Sequence, residues 1–443
     1  MINRRALLVG VPLLMAVRPL TAQHLPSGRF PLAVSPDKRH VIDGTGTPFM
    51  IHGDTAWSLI ADLTREETLL YLDDRSKRGF NTILVSLIER KFTTDAPRNA
   101  YGEDPFLARG DFSQPNPLYF DQAEWVINQA LQRGLLVLLT PVYLGFGGGD
   151  EGWYQEMVTA GPEVMRAYGG FVGRRFAHLP NIMWLHGGDY DPPDRGLVRA
   201  VADGLADAGA AGIATAHCAP DSITGQVWKG EPWLAMDTVY TYGDVHGQVL
   251  ERYQQSAMPV LMLETAYENE HGSTEETLRI AAYGALLGGA AGHLFGNNPI
   301  WHFSGPGIYD TGGIGWREAL ASRGTQSMTH LKTLFDTIDW WLLKPAPADR
   351  PVHGIGVQRI FTAASSDGSL SVSYLLDAQA VVVHHASLAV AGASAQWFDP
   401  STGVLTDAGV LQVDDSGAVR MTPPARLNGS GFHDWVLVLK ADA

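Results

Sequence analysis

Asn181-Ile-Met-Trp-Leu-His-Gly-Gly-Asp-Tyr190 is an apolar run that ends in two glycines and a carboxylate. Ile182 to Leu185 shows no polar alternation and is too short for a helix, so it reads as a strand buried on both faces. Gly187 and Gly188 allow a sharp turn, which leaves Asp189 at the carboxyl end of the strand. Barrels of alternating strands and helices carry their working groups at that end. Met258-Pro-Val-Leu-Met-Leu-Glu264 repeats the pattern, with Glu264 closing it.

The flanking sequence alternates in the same way. Met50–Trp57, Asn81–Leu87, Leu135–Thr140, Gly212–His217, Thr238–Tyr242 and Ala291–Phe295 read as six further strands. Thr64-Arg-Glu-Glu67 is a capping box that opens a helix running to Lys77, with Gly79 as its stop. Further helices are expected over Asp121–Arg133, Pro162–Ala177, Asp194–Ala208, Gln248–Ser256, Glu275–Leu287 and Thr325–Leu343. Eight strand-helix units are what a closed parallel barrel requires, so the fold class is α/β, a (β/α)8 TIM barrel. Two irregular segments, 89–117 and 145–152, interrupt it, and a long structureless stretch in a compact domain is usually functional. A short β-hairpin is expected over 30–49. After Pro345-Ala-Pro347 the texture changes to β runs at Arg359–Ala363, Leu370–Leu375, Ala380–His384 and Trp435–Lys440, with Gly, Asp and Ser turns between them. This reads as a small C-terminal all-β sandwich.

The 443 residues carry a net charge of −15 and are 45% hydrophobic, enough for a large core and more than one domain. The acidic balance lacks the basic footprint that a phosphate backbone demands, which argues against a nucleic-acid partner. Arg4-Arg5, an apolar stretch broken by Pro12, and small residues up to Ala22 read as a signal peptide. The stretch falls short of the roughly 20 residues a membrane span needs. The expected layout is a leader over 1–22, a catalytic barrel over 23–344 and a β domain over 345–443. Cys218 is the only cysteine, so neither an intramolecular disulfide nor a cysteine zinc site can form. An exported chain built this way suits the bacterial periplasm or the extracellular space. We expect a monomer that inserts in no membrane once the leader is removed and needs no metal or other cofactor.

Asp189 follows the fourth strand and Glu264 the seventh, so the two acids face each other across the barrel mouth. Two such carboxyl groups suit glycoside hydrolysis, in which one protonates the leaving oxygen while the other attacks or activates water. Taken alone, Asp189 has helix capping and Glu264 an arginine pair as the plainer alternative. Trp57, Tyr143, Trp153, Tyr190, Tyr240, Tyr242, Tyr267 and Trp301 fall in or near carboxyl-end loops, where rings stack on sugar faces and phenols bond hydroxyls. Asp54, after the first strand, is a candidate for sugar hydroxyls, with helix capping as its alternative. The expected partner is an oligosaccharide or polysaccharide.

His52-Gly-Asp-Thr-Ala-Trp57, the Arg78-Gly-Phe-Asn81 step, Gly187-Gly-Asp189 and the strand ending at Glu264 together resemble the apiosidase-like catalytic domain of glycoside hydrolase family 140. The tail resembles the collagen-binding-type β domain often joined to it. The resemblance implies a retaining enzyme acting on apiose-containing pectic or related plant cell-wall glycans, with Asp189 as general acid/base and Glu264 as nucleophile. Retaining barrel glycosidases of the larger clan usually carry Asn-Glu where this chain has Gly188-Asp189. Two other readings stay open. A metal-dependent barrel hydrolase would use His52, Asp54, His186, His217 and His293, although the paired His-x-His and a fourth-strand lysine are missing. An inactive carbohydrate-binding protein would bind sugars without turnover.

Overall fold

The computed structural model describes residues 28–210, 212–346, 352–354, 359–384, 393–411 and 418–441. The expected leader, 1–22, and Pro347 of the expected linker lie outside the described residues. Three two-residue strands, β1 (Ala33–Val34), β2 (Val41–Ile42) and β3 (Pro48–Phe49), pair antiparallel. The barrel follows as β4 (Ile51–Thr55), α1 (Leu59–Asp62), α2 (Arg65–Lys77), β5 (Thr82–Ser86), α3 (Pro117–Gln132), β6 (Leu136–Thr140), α4 (Tyr154–Phe176), β7 (Ile182–Gly187) and α5 (Gly196–Asp207). It continues through β8 (Ala214–His217), α6 (Thr224–Val227), β9 (Asp237–Tyr240), α7 (Val245–Gln255), β10 (Val260–Glu264), α8 (Glu275–Leu287), β11 (Gly292–Phe295), α9 (Trp316–Ala319) and α10 (Arg323–Phe335).

The eight barrel strands pair in the order β8-β7-β6-β5-β4-β11-β10-β9, all in parallel. Threonine hydroxyls stitch the remaining seam between β8 and β9: Thr215 donates to the Met236 carbonyl at 2.8 Å and Thr238 to the Ala216 carbonyl at 2.7 Å. Side chains alternate along each strand. Leu84, Leu136, Leu138, Met183, Leu185, Leu261, Leu263 and Leu294 fill the interior, while Ile83, Val85, Val137, Leu139 and Trp184 meet the helices outside. Val41 and Phe49 of the small sheet, with Leu32 just before it, join the interior cluster, and Trp57, Tyr267 and Trp301 cover its other end. One end of the barrel is thus closed by apolar side chains of the small sheet and its approach, the other roofed by aromatic rings.

The capping box of α2 forms as the sequence indicates, with Thr64 and Glu67 bonding reciprocally. Helices α3 and α7 start three or four residues before the expected positions, α1, α6 and α9 are short additions, and two helices differ most from expectation. Helix α4 begins earlier, at Tyr154, but Gly161 (φ 78°, ψ 168°) breaks it, so the main segment starts at Pro162, where a missing N–H costs nothing. Helix α10 stops at Phe335 instead of Leu343, and just beyond its end the Thr337 hydroxyl bonds the Leu334 carbonyl. Leu343–Pro345 leaves the barrel altogether as β12 and pairs with a strand of the C-terminal domain.

That domain comprises β13 (Val352–Gly354), β14 (Ile360–Ser365), β15 (Leu370–Leu375), β16 (Val381–His384), β17 (Ser394–Phe398), β18 (Leu405–Val410), β19 (Ala418–Met421) and β20 (Trp435–Lys440). A six-stranded sheet, β12-β14-β15-β20-β17-β18, lies against a three-stranded one, β13-β16-β19. Leu375, Leu437 and Leu439 of the large sheet share a core with Val381 and Val383 of the small one. The other face of the large sheet packs on the barrel: Phe361, Val372, Tyr374 and Val438 join Tyr283, Leu286, Leu331 and Phe335 of α8 and α10. Both faces of β15 are therefore buried along its whole length.

Candidate active site

At the carboxyl end of the strands a cavity of about 730 Å³ opens, within the usual range for small-molecule sites of about 300–1,000 Å³. Asp189 and Glu264 both line it. Asp189 comes from a turn that only glycines can make: Gly187 and Gly188 have φ of 91° and 135°. A Cβ at Gly187 would sit 2.4 Å from the His217 carbonyl, and one at Gly188 would sit 2.3 Å from the Tyr143 ring. Asp189 itself adopts φ 49°, a left-handed conformation that its Cβ makes uncommon outside glycine, and such strain collects at working sites.

Glu264 reaches the cavity by a different device. Leu261 and Leu263 point into the barrel while Val260 and Met262 point outward, so simple alternation would send Glu264 outward too. The register between β10 and β9 shifts between Met262 and Glu264, and this bulge turns the carboxyl back to the mouth.

Hydrogen bonds join the two acids through His217. The Asp189 N–H donates to His217 Nδ1 at 3.0 Å, which leaves the proton of the neutral ring on Nε2, 2.5 Å from Glu264 Oε2. The Cys218 carbonyl lies 3.1 Å from Nδ1, placed to accept when the ring is charged. Burial opposes charge on His217, but the hydrogen bond and charge of Glu264 outweigh it and its pKa is raised. Burial likewise pushes the Glu264 carboxyl up, against the lowering effect of His217. The Tyr267 hydroxyl accepts from Trp57 Nε1 at 3.1 Å, and its pKa is raised by burial and by the charge of Glu264. On the other side, the Tyr143 hydroxyl donates to Asp189 Oδ2 at 2.7 Å, while Oδ1 is buried without a partner.

One ligand-type atom from each of Asp189, His217 and Glu264 lies within 4.8 Å of the others, a spacing that a metal ion would also accept. Both nitrogens of His217 are already engaged, however, one accepting the Asp189 amide and one bonded to Glu264. The other histidines of the metal reading lie elsewhere. His52 and His293 pair at 3.0 Å on the outer face of the barrel, where His52 stacks on Phe80, and His186 packs against Trp233.

The sequence profile described as "Apiosidase-like, catalytic domain" matches residues 35–342. The chain belongs to the apiosidase-like family. A second profile, "Putative collagen-binding domain of a collagenase", matches residues 353–440. A glycoside hydrolase family 5 structure from Bacteroides vulgatus ATCC 8482 has a TM-score of 0.79 to this apiosidase-like chain at 22% identity, covering 92% of this chain and 93% of that one. Another structure, titled "Glycoside hydrolase", gives 0.79 at 22% identity over 94% and 97%. A family 5 mannosidase from Rhizomucor miehei gives 0.53 at 12% identity, over 70% of this chain and 98% of that one. At these identities the likeness is one of fold. No curated protein matches the sequence. Family membership makes the protein an enzyme of the glycoside hydrolase class.

Of the residues singled out in the apiosidase-like sequence, Trp57, Tyr143, Tyr240, Tyr242, Tyr267 and Trp301 line the cavity with the two acids. Three others do not reach it. Asp54 is fully buried on the outer face of β4, where Tyr71 donates to it at 2.7 Å and Arg75 lies 3.4 Å away, so it ties α2 to the barrel instead of meeting a sugar. Tyr190 packs edge-on against Tyr154, and Trp153 is enclosed by Phe106 and Phe112. Residues that sequence reasoning passed over as sugar-site groups complete the wall: Glu89 and Phe92 from segment 89–117, Phe146 and Glu151 from 145–152, and Glu270, His271 and Tyr309. The length of the first two segments was the available signal; the last three had none.

Proposed function

We propose that this apiosidase-like protein is an exported, retaining glycosidase acting on apiose-containing pectic or related plant cell-wall glycans. The observation that carries the reading is the pairing of Asp189 and Glu264 in one cavity, with an oxygen of each within 4.8 Å of the other. Direct attack on the sugar suits carboxyl groups about 5–5.5 Å apart, whereas an inverting enzyme leaves about 6.5–9.5 Å for a water. Glu264 Oε2 is held by His217, so the same carboxylate presents its other oxygen to the anomeric carbon. In the first step Asp189 gives its proton to the glycosidic oxygen as the carbon–oxygen bond breaks, and Glu264 forms a glycosyl ester. In the second, Asp189 takes a proton from water, which attacks the same carbon and frees Glu264. The aromatic walls supply faces for the sugar rings to stack on.

Proton NMR of the first-formed sugar tests this on pectic side-chain oligosaccharides. The expected product keeps the anomeric configuration of the substrate; an inverted first product removes Glu264 as nucleophile and makes it the base. Asp189→Ala and Glu264→Ala should each lower turnover by several orders of magnitude with the fold intact.

A further inference from the structure

A third carboxyl group, Glu270, lies in the wall of the same cavity, on the loop after β10. Its neighbours Asn269 and His271 both adopt left-handed conformations, with φ of 68° and 51°. Two strained non-glycine residues in sequence order around one buried acid persist only where the surroundings over-determine them. Those surroundings are visible. Glu268 accepts from the Gly324 amide at 2.7 Å, from Asn297 at 2.8 Å and from Ser322 at 2.6 Å, and Asn269 donates to the Asn298 carbonyl at 2.9 Å. His271 Nε2 lies 3.1 Å from the Tyr309 hydroxyl. Anchors on either side thus hold residue 270 inward.

Glu270 is only 7% exposed, yet its carboxyl takes one hydrogen bond from the protein, from Trp301 Nε1 to Oε1 at 2.8 Å. A carboxylate offers about four acceptor sites, so the acceptor capacity that Trp301 leaves unused, Oε2 above all, is turned to the cavity and open to a hydroxyl group held there. Among the described residues lining the cavity none is Lys or Arg, while Glu89, Glu151, Asp189, Glu264 and Glu270 are all acids. An anionic sugar held beside Glu270 would meet these acids, while Lys91 is already paired with Glu151 and Asp150 and His217 with Glu264.

We propose that Glu270 binds a hydroxyl group of the sugar held in the cavity and restricts that position to neutral sugars; this rests on reading the cavity as a glycosidase site. Burial, and after it the charge of Glu264, raises the Glu270 carboxyl to about 7, so it takes up a proton readily and can either donate to or accept from a hydroxyl.

The test uses the full chain with Asp189→Asn, which binds without turnover, and titrates it calorimetrically with neutral pectic side-chain oligosaccharides and with uronate-terminated ones. Adding Glu270→Ala should weaken neutral binding about 10- to 100-fold, while Glu270→Gln stays within about tenfold and improves uronate binding. Neutral binding unchanged in Glu270→Ala, with only the melting temperature moved, overturns the proposal and leaves Glu270 as a support for Trp301. Neutral binding lost with Glu270→Ala in a chain whose wild type shows no turnover overturns the glycosidase reading and sustains this one. Failure to bind any neutral oligosaccharide overturns both.

Discussion

Asp434→Ala tests whether the C-terminal β domain is part of the barrel's own structure. Asp434 lies in the β domain and Arg279 on α8, and both side chains are fully buried. The guanidinium meets the carboxylate through two hydrogen bonds, Nε to Oδ2 at 2.7 Å and Nη2 to Oδ1 at 2.8 Å. Tyr374 donates to the same carboxylate at 2.7 Å and Asn428 at 2.8 Å. Removing Asp434 strands a buried positive charge, which costs about 3–5 kcal/mol, and takes the acceptor from two further donors at about 1 kcal/mol each. A loss of about 5–7 kcal/mol is large against the roughly 5–15 kcal/mol that holds a typical protein together. Stacked rings cross the same boundary, Tyr283 on Tyr374 at 4.7 Å and His246 on Phe361 at 4.1 Å, so the two domains should unfold together. The assay is denaturant unfolding followed by tryptophan fluorescence and by residual glycosidase activity. The expected result is one coincident transition, shifted by several kcal/mol in Asp434→Ala and partly restored in the double variant Arg279→Met with Asp434→Leu. A loss below about 1 kcal/mol, or an active barrel surviving after the β domain has melted, refutes the reasoning.

Gly188→Ala should lower kcat at least tenfold and destabilise the protein by about 2 kcal/mol, because the new methyl group meets the Tyr143 ring at 2.3 Å at a φ of 135° and displaces the donor to Asp189; steady-state kinetics and thermal melts check it. Glu270 is held at about 7 against an ordinary 4.5, so it favours the fold fully below pH 4.5 and loses that contribution as pH rises through 7. Relative to Glu270→Gln, the wild type should therefore weaken by at most about 3 kcal/mol between pH 4.5 and 7, and a difference that grows in the opposite direction in pH-dependent denaturation contradicts the burial argument.

The barrel was legible because its strands are near-continuous apolar runs punctuated by glycine and capping residues, signals that are local in sequence. The β domain was less so: β15 and β20 show as apolar runs, whereas β17, β18 and β19 are short or polar and gain their places only by pairing. The candidate site was legible where a strand ends in an acid and opaque where a loop supplies a group to the cavity wall. Glu270 sits six residues beyond Glu264, on a stretch whose inward direction depends on anchors at Asn297 and Gly324, distant in sequence.

Asp54 and Glu264 show how far strand alternation alone carries. Both sit within or at the end of an inner-outer alternating strand, and the period of two assigns both to the outer face. For Asp54 the rule holds, and the acid is spent on Tyr71 and Arg75. For Glu264 a one-residue irregularity overrides it and delivers the acid to the mouth. His217 obeys the rule and faces inward, where it links the turn carrying Asp189 to the carboxyl of Glu264. Because the Asp189 amide fixes the His217 tautomer and the tautomer decides which nitrogen donates to Glu264, the geometry of the Gly187-Gly188 turn reaches the other acid through a single ring. Strain at Asp189 and the bulge before Glu264 are therefore two ends of one construction, and disturbing either end misplaces both carboxyl groups.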